Sequence, residues 1–217
     1  MEKPTVKKTF ALVFSLLLVG ATAVAGEFKE GVQYQALASP QPTDTDDRIE
    51  VIEFFWYGCP HCYRLEPELE AWVKKLPDDV AFRRVPAVLG PAWELLARAY
   101  YTAEVLDAVD KVHQPLFGAI HKQRKRFRTV DDVAALFAAQ GVPEAEFRKA
   151  WKSFPVVMNT NRARQARERY GLEGVPTLVV NGKYRTSATL AGSNETMLKV
   201  VDYLIDKERV AGKKGKE

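Results

Sequence analysis

The stretch that most restricts the fold is the change from strand to helix over residues 49–62, IEVIEFFWYGCPHC. Residues 49–56 are apolar on both alternating faces, which is typical of a central strand covered on both sides. Gly58 ends this strand. Cys59 and Pro60 then match the cap and the first position of a helix. Proline is favoured at that position because the N–H group that it lacks would have no partner within the helix. The pattern predicts a buried strand that leads directly into a helix whose first turn carries a cysteine.

Further strand signals lie in two places. Residues 80–85 predict a second strand, parallel to the first because a single helix connects them. Residues 177–180 predict a third strand, and Asn181-Gly182 predicts a hairpin that brings residues 183–186 back antiparallel.

Helical patterns fill most of the remaining chain. The first helix is expected to continue to Pro77 with a kink at Pro67. Residues 91–170 are helical almost throughout, and Asn194 is the predicted cap of a last amphipathic helix. This order predicts an α/β fold with one mixed sheet, built from a βαβ unit and a ββα unit with helices inserted between them.

The chain has two cysteines, Cys59 and Cys62, three positions apart. A disulfide between them would close a four-residue loop, for which the chain-entropy gain is at most roughly 2 kcal/mol before strain is subtracted. Bridges in such small loops tend to be strained and easily reduced. The pair is therefore predicted to be a redox-active site rather than a structural brace.

The N-terminus has the three parts of a secretory signal peptide. Lys3, Lys7 and Lys8 make it basic, residues 10–19 are apolar but too short to span a membrane, and a small-residue pattern predicts cleavage after Ala25. We therefore expect export to an environment in which disulfides persist. The alternative interpretation is an uncleaved membrane anchor.

The charge balance does not indicate a nucleic-acid partner. The net charge is +4, and part of it lies in the predicted signal peptide. The basic stretch HKQRKRFR, residues 121–128, is interpreted as a solvated turn. His113 and His121 are interpreted as surface or helix-packing residues, since neither has a catalytic context in the sequence.

The place of Cys59 at a helix N-terminus predicts a thiol with a low pKa. Unpaired N–H groups and the positive end of the helix dipole stabilise a thiolate there. His61, inside the motif, adds positive charge or a hydrogen bond. Cys62, one turn later, is predicted to point inward and to act as the resolving thiol. A stabilised thiolate also makes the disulfide form more oxidising.

The segment EFFWYGCPHCYRLEP resembles the active-site segment of the DsbA family, thioredoxin-fold disulfide oxidases of the bacterial periplasm. The signal peptide, the CPHC motif, the helical insert and GVPTLVVNGKY follow in the family's order, so the resemblance covers nearly the whole mature chain. It implies a thioredoxin-like fold with an inserted all-helical domain. The implied divisions are a signal peptide at 1–25, a thioredoxin domain in two parts at 26–87 and 164–217, and the helical insert at 88–163.

The resemblance implies two further site features. Val175-Pro176 matches the family's cis-proline site, where backbone beside the active cysteine binds an extended substrate. Glu53 matches an acid buried beneath the active site, which implies that it accepts or relays the proton of Cys62.

Alternatives to these roles remain open at this stage. Glu53 is otherwise a carboxylate in water, or one paired with Arg83 or Arg84. The family often has a lysine near this position and the chain has Arg84, which puts a lysine-specific proton role in doubt. The aromatic residues 55–57 either belong to the core or line the rim of an apolar groove for clients.

The implied activity is that of a periplasmic dithiol oxidase. It would donate the Cys59–Cys62 disulfide to newly exported, unfolded proteins through a mixed disulfide at Cys59. A DsbB-type membrane partner linked to quinone is expected to reoxidise it. The protein is expected to be a monomer, and its sequence shows no cofactor or metal site.

Other functions fit this sequence less well. A reductase on the same fold usually has Gly-Pro between its cysteines, where this chain has Pro-His. A periplasmic isomerase carries an N-terminal dimerisation domain, and the arm before the first strand of this chain is too short to form one. A zinc module is disfavoured because Cys59, Cys62 and His61 cannot complete a tetrahedral ligand set. A peptide-binding chaperone with an inert disulfide would share the groove, so only redox behaviour distinguishes it.

Overall fold

A computed structural model describes residues 28–214, so the predicted signal peptide lies outside the described residues. Its strands are β1 (Gln35–Ala36), β2 (Ile49–Phe55), β3 (Val80–Pro86), β4 (Thr177–Val180) and β5 (Tyr184–Ser187). Its helices are α1 (Pro60–Val73), α2 (Glu94–Val105), α3 (Val109–His121), α4 (Val130–Ala139), α5 (Glu144–Trp151), α6 (Phe154–Tyr170), α7 (Ala188–Ala191) and α8 (Asn194–Lys214). A short 3₁₀ turn, Pro91–Trp93, precedes α2.

The strands form one mixed sheet in the order β1-β5-β4-β2-β3. β2 pairs parallel with β3 and antiparallel with β4, and β5 pairs antiparallel with both β4 and β1. The register sets Glu53 opposite Arg84 on β3 and opposite Leu178 on β4. The predictions of a central first strand and of a parallel second strand are confirmed.

The two faces of β2 are buried against different helices. Val51 packs with side chains of α1 and α8, among them Leu65 and Leu204. Ile52 and Phe54, on the opposite face, pack against the end of α6. Full burial of such side chains contributes about 1.5–3 kcal/mol each, which explains why this strand is apolar on both sides.

A third cluster joins the end of β2 to the helical insert. Phe55, Tyr57 and Cys62 are buried in it together with side chains of α2 to α6, including Leu116 and Phe117 of α3. The active-site turn therefore lies at the contact between the sheet and the inserted helices.

Three local predictions differ from the structure in detail. β5 begins at Tyr184 rather than at residue 183, because Lys183 N–H closes the turn onto the Val180 carbonyl at 2.9 Å. The cap of α8 is Ser193 rather than Asn194, since the Ser193 hydroxyl accepts a hydrogen bond from Thr196 N–H at 3.0 Å. α1 ends at Val73 rather than at Pro77. The strand β1 and the helix α7 have no signal of their own in the sequence.

The helical insert occupies the chain between β3 and β4. The boundary predicted at 163–164 falls inside α6, which is one continuous helix. Ala163 packs among the inserted helices, whereas Ala166 and Tyr170 pack on the sheet. The residue limits of the domains remain a prediction. None of the helices within residues 28–214 has the length and apolar character needed to cross a bilayer.

Candidate active site

Cys59 caps the N-terminus of α1. Its backbone is extended, with φ −85° and ψ 118°, and Pro60 occupies the first helical turn, as predicted. The Cys59 N–H donates to the Trp56 carbonyl at 2.9 Å, which fixes the turn between β2 and α1. The helix continues through Pro67 to Val73. Cys59 and Cys62 are both free thiols in the structure.

The environment of Cys59 stabilises its thiolate. Its pKa is lowered from 9.0 to about 6, mainly by the Cys62 thiol, which donates a hydrogen bond to it. The backbone N–H groups of Cys62 and His61 and the charge of His61 lower the pKa further, against an opposing effect of partial burial. The helix N–H groups and His61 were predicted to act in this way, but the dominant contribution of Cys62 was not.

Cys62 points inward and is fully buried. Burial raises the pKa of its thiol far above the ordinary value, and its hydrogen bond to Cys59 and the charge of Glu53 act in the same direction. The two thiols three positions apart therefore have opposite acid–base behaviour: at neutral pH Cys59 ionises and Cys62 stays protonated.

The peptide bond between Val175 and Pro176 is cis, as predicted. Cys59 Sγ lies 3.4 Å from the Val175 carbonyl oxygen. A cavity of about 360 Å³ extends from this point between His61 on one side and Val175 and Pro176 on the other, and it continues to the end of β5 and α7. The cavity gives an extended peptide access to the backbone next to the reactive sulfur.

A group of buried charges lies beneath the cysteines. Glu53 is fully buried and accepts a hydrogen bond from Arg84 Nε at 3.2 Å. The same guanidinium reaches two carboxylates of α1, Glu66 at 3.4 Å and Glu70 at 2.7 Å. Arg84 thus joins β2, β3 and α1, and of the alternatives left open for Glu53 the structure shows the pairing with Arg84.

The pKa of Glu53 is raised towards neutral pH. Burial raises its pKa from 4.5 to about 8, the neighbouring Glu66 raises it further, and the Arg84 charge opposes both. One carboxylate oxygen of Glu53 has no hydrogen-bond partner among the described residues. A protonated carboxyl with a free oxygen beneath a buried thiol has the chemistry of a proton donor or acceptor.

His113 and His121 lie near this site, which corrects the interpretation that they have no such context. His113 is buried, with Nδ1 2.8 Å from the Tyr57 hydroxyl and Nε2 3.2 Å from Glu66 Oε2. His121 Nε2 donates to the Tyr57 carbonyl at 2.8 Å, and its ring stacks on Tyr63 at 4.8 Å. α3 therefore contacts both sequence segments that flank the cysteines.

His61 is exposed on the first turn of α1, and its Nδ1 accepts a hydrogen bond from Arg64 at 2.9 Å. The aromatic residues before the cysteines divide into two kinds. Phe55 and Tyr57 belong to the core, whereas Trp56 is partly exposed and stacks on Trp93 with ring centroids 4.2 Å apart.

Sequence reasoning missed Glu66, although a signal for it was present. Glu66 lies four positions after Cys62 and next to Leu65, on the face of α1 that is buried, so its burial follows from helical spacing. Tyr57 and His113 gave no such signal. They are 56 positions apart and meet only because α3 docks against the end of β2.

Comparison with known proteins gives one consistent result. A family model described as a DSBA-like thioredoxin domain matches residues 50–200. The thiol:disulfide interchange protein DsbA of Pseudomonas aeruginosa is 41% identical over 204 residues, 94% of this chain and 97% of that protein. The protein of the same name from Azotobacter vinelandii is 42% identical over 200 residues, 91% of this chain and 94% of its own.

A solved structure agrees with the sequence matches. The crystal structure of Pseudomonas aeruginosa DsbA superimposes with a TM-score of 0.82 at 42% identity, covering 86% of this chain and 97% of that one. With the cysteine pair and the cis-proline bond also in place, this chain belongs to the DsbA family of thioredoxin-like thiol:disulfide oxidoreductases.

Proposed function

We propose that the protein is a periplasmic dithiol oxidase that donates the Cys59–Cys62 disulfide to newly exported, unfolded proteins. The observation that carries this proposal is the opposite acid–base behaviour of the two thiols. Cys59 has a pKa of about 6, while burial keeps Cys62 protonated. A stabilised Cys59 thiolate favours the reduced enzyme and therefore makes the disulfide a strong oxidant.

In the first step a client thiolate attacks Sγ of Cys59 in the oxidised enzyme. The Cys59–Cys62 bond breaks, a mixed disulfide forms between client and Cys59, and Cys62 leaves as a thiolate. Because Cys62 is buried and its pKa is raised, this thiolate takes up a proton. Glu53, with a pKa of about 8, is protonated at neutral pH and is the proposed proton donor.

In the second step a second client thiolate attacks the client sulfur of the mixed disulfide. Cys59 leaves as a thiolate, and its low pKa makes it a good leaving group. The client has lost two electrons and gained a disulfide, and the enzyme is left as a dithiol. The backbone N–H groups of Cys62 and His61 stabilise the departing thiolate.

The cavity next to the cis-proline bond is the proposed client site. An extended segment of the client would run beside Val175 and Pro176, so that its backbone pairs with that of Val175. This places a client sulfur beside Cys59, because Cys59 Sγ is itself 3.4 Å from the Val175 carbonyl oxygen. Backbone pairing suits an enzyme that acts on many unfolded sequences.

The proposal includes the cellular setting. Residues 1–25 act as a signal peptide that is removed after Ala25, and the mature protein works in the periplasm as a monomer. A DsbB-type membrane oxidase takes the two electrons from the dithiol and passes them to quinone. The thioredoxin domain (26–87 and 164–217) carries the chemistry, and the insert (88–163) covers it.

The test is the reduction potential of the cysteine pair. Protein recovered from the periplasm after expression of the full chain is equilibrated in graded glutathione buffers while tryptophan fluorescence is followed. We expect a potential above about −200 mV, the oxidising limit of glutaredoxins; DsbA itself stands at that end of the same scale.

Two results would contradict the proposal. A potential near the thioredoxin value of about −270 mV would indicate a reductase. A cysteine pair that cannot be oxidised and reduced reversibly would indicate a peptide-binding protein with an inert disulfide.

The Glu53→Gln variant tests the proton step separately. It should slow the formation of the mixed disulfide at neutral pH more than it changes the reduction potential.

A further inference from the structure

A strongly basic loop begins beside the redox site. Residues 122–128, KQRKRFR, connect α3 to α4 and are called the basic loop from here on. Five of its seven residues are lysine or arginine, and all five are exposed. Neither the proposed redox chemistry nor the client cavity uses any of them.

The charges of the basic loop are largely unneutralised. Within residues 28–214, four of its cations have neither a side-chain hydrogen bond nor an ion pair: Lys122, Arg124, Lys125 and Arg126. The N–H groups of Arg128 and Thr129 donate to the Asp132 carboxylate and lower its pKa, and the Arg128 charge adds a smaller effect in the same direction. The nearby Asp131 is already paired with Arg148 at 2.7 Å. The loop is therefore a positive surface without an internal partner.

The backbone of the loop is held in place while its cations face outward. Lys122 N–H donates to Gly118 O and Lys125 N–H to Ala119 O, both at 2.9 Å. Phe127, the only aromatic residue of the loop, packs against the buried cluster of the helical insert. The loop is thus anchored on α3. Its cations are exposed, and Phe127 lines a cavity of about 590 Å³ beside Lys125 and Arg126.

The loop starts one residue after a contact of the active site. His121 ends α3, bonds the Tyr57 carbonyl and stacks on Tyr63, which follows Cys62 in α1. A surface that bound the basic loop would therefore hold the protein by the rim of its redox centre.

We propose that the basic loop is a docking site for the anionic phospholipid head groups of a membrane surface. Clusters of four to eight lysine and arginine residues bind such surfaces through charge alone, at about 1 kcal/mol per residue. The binding itself requires no redox step. Its use, to bring Cys59 to a membrane-bound oxidase, rests on the proposed function.

Lipid fits this loop better than an acidic protein does. A specific protein interface has a buried aromatic or arginine anchor at its centre and charged groups at its rim. Here the single aromatic residue packs against the insert, and the five cations are spread over positions 122–128 of an irregular loop. Mobile head groups can match such an arrangement without a complementary shape.

The experiment measures binding to lipid vesicles by flotation. Periplasmic protein from expression of the full chain is mixed with vesicles of phosphatidylcholine, with or without phosphatidylglycerol. We expect binding only to the mixed vesicles, and its loss as salt is added. The triple variant Lys122→Gln, Lys125→Gln, Arg126→Gln should bind about fivefold more weakly per charge removed, on the order of a hundredfold in all.

A matched control removes the same charge elsewhere. Lys74, Lys75 and Lys152 are also exposed, so the variant with all three changed to glutamine has the same net charge. It should keep most of the binding of the unchanged protein. Circular dichroism of both variants, with unfolding temperatures, shows that each is folded.

Three outcomes would overturn the proposal. In the first, the unchanged protein binds the mixed vesicles no more than it binds vesicles of phosphatidylcholine alone. In the second, the two triple variants lose binding equally, which would indicate an effect of net charge. In the third outcome, the unchanged protein does not bind the vesicles but binds soluble polyglutamate, and the basic-loop variant does not. That result would indicate that the partner is an acidic protein. The Cys59→Ser variant cannot exchange disulfides but should bind vesicles as the unchanged protein does. A failure of the proposed lipid binding can therefore be distinguished from a failure of the proposed redox function.

Discussion

At the scale of single residues, Cys59 and Cys62 show how position determines chemistry. Both are thiols in one helical turn, yet the pKa of Cys59 is lowered to about 6 while that of Cys62 is raised. Cys59 stands at the N-terminus of α1 among N–H donors, and Cys62 lies beneath it in the core. The Cys62 thiol also donates to Cys59, so each residue is part of the other's environment.

The lowered pKa predicts how the stability of the reduced enzyme depends on pH. A group whose pKa falls from 9.0 to about 6 on folding stabilises the fold fully above pH 9, and this contribution is lost as pH falls through 6. Glu53 acts in the opposite sense, since its raised pKa stabilises the fold below pH 4.5 and this contribution is lost as pH rises through about 8.

Comparing redox forms isolates the cysteine. The unfolding temperature of the reduced protein minus that of the oxidised protein should increase from pH 6 to pH 9, because only the reduced form has the Cys59 thiolate. When Cys59→Ser protein takes the place of the reduced protein in this subtraction, with the oxidised unchanged protein as the same reference, the increase should be absent. A difference that does not vary with pH would show that the thiolate is not stabilised by the fold.

Gly58 is required by close packing. A Cβ atom added there would lie 2.4 Å from the Trp56 indole, which stacks on Trp93. Gly58→Ala should therefore displace Trp56 and cost about 1–3 kcal/mol of unfolding free energy, with a change in tryptophan emission. Gly90→Ala is the control, since its Cβ would have Trp93 at an ordinary 3.8 Å. Equal behaviour of the two variants would contradict the prediction.

At the scale of elements, the start of α8 depends on one hydroxyl. Ser193 accepts from Thr196 N–H at 3.0 Å, and Met197 N–H donates to the Ser193 carbonyl. Ser193→Ala should cost about 1 kcal/mol in urea unfolding, the usual effect of losing an N-cap. Asn194→Ala is the matched neighbour and should cost clearly less. The reverse order would restore Asn194 as the cap.

Element types and order were predictable because they depend on local pattern. The doubly apolar β2, the proline after Cys59 and the Asn181-Gly182 turn each carry their own signal. The prediction of Asn194 as the cap of α8, where the structure has Ser193, has a simple cause. Both residue types favour the cap position, so only the backbone geometry distinguishes them.

At the scale of the whole molecule, the helical insert is tied to the redox turn through one polar contact. The Tyr57 hydroxyl and His113 Nδ1 are 2.8 Å apart and both side chains are buried. A Tyr57 hydroxyl that donates to Nδ1 leaves the ring proton on Nε2, which faces Glu66 at 3.2 Å. The insert thereby contacts the buried charges beneath Cys62.

This contact predicts energetic coupling between the two parts of the molecule. Removing one partner leaves a buried polar group unpaired, at a cost of about 1–3 kcal/mol. In a double-mutant cycle, Tyr57→Phe and His113→Phe should show an interaction energy of about 0.5–3 kcal/mol in denaturant unfolding. Tyr63→Phe, next to the site but outside the pair, should combine additively with His113→Phe. Additivity of the Tyr57 and His113 changes would contradict a shared contact.

The sequence by itself determined most of the elements, the redox pair and the position of Cys59 at the start of a helix. These features depend on residues that are close in the sequence. Such residues are also close in the structure, so a local pattern is enough to predict them. The sequence also indicated Glu53 and Val175-Pro176, through resemblance to the DsbA family.

Only the tertiary structure decided what surrounds the pair. Arg84 meets Glu53 through strand register, and His113 and His121 meet Tyr57 because α3 docks on the end of β2. The basic loop, a charge run in the sequence, becomes a surface beside the redox site by the same docking. Such contacts join residues tens of positions apart, and they depend on how apolar faces pack together, which no local pattern records.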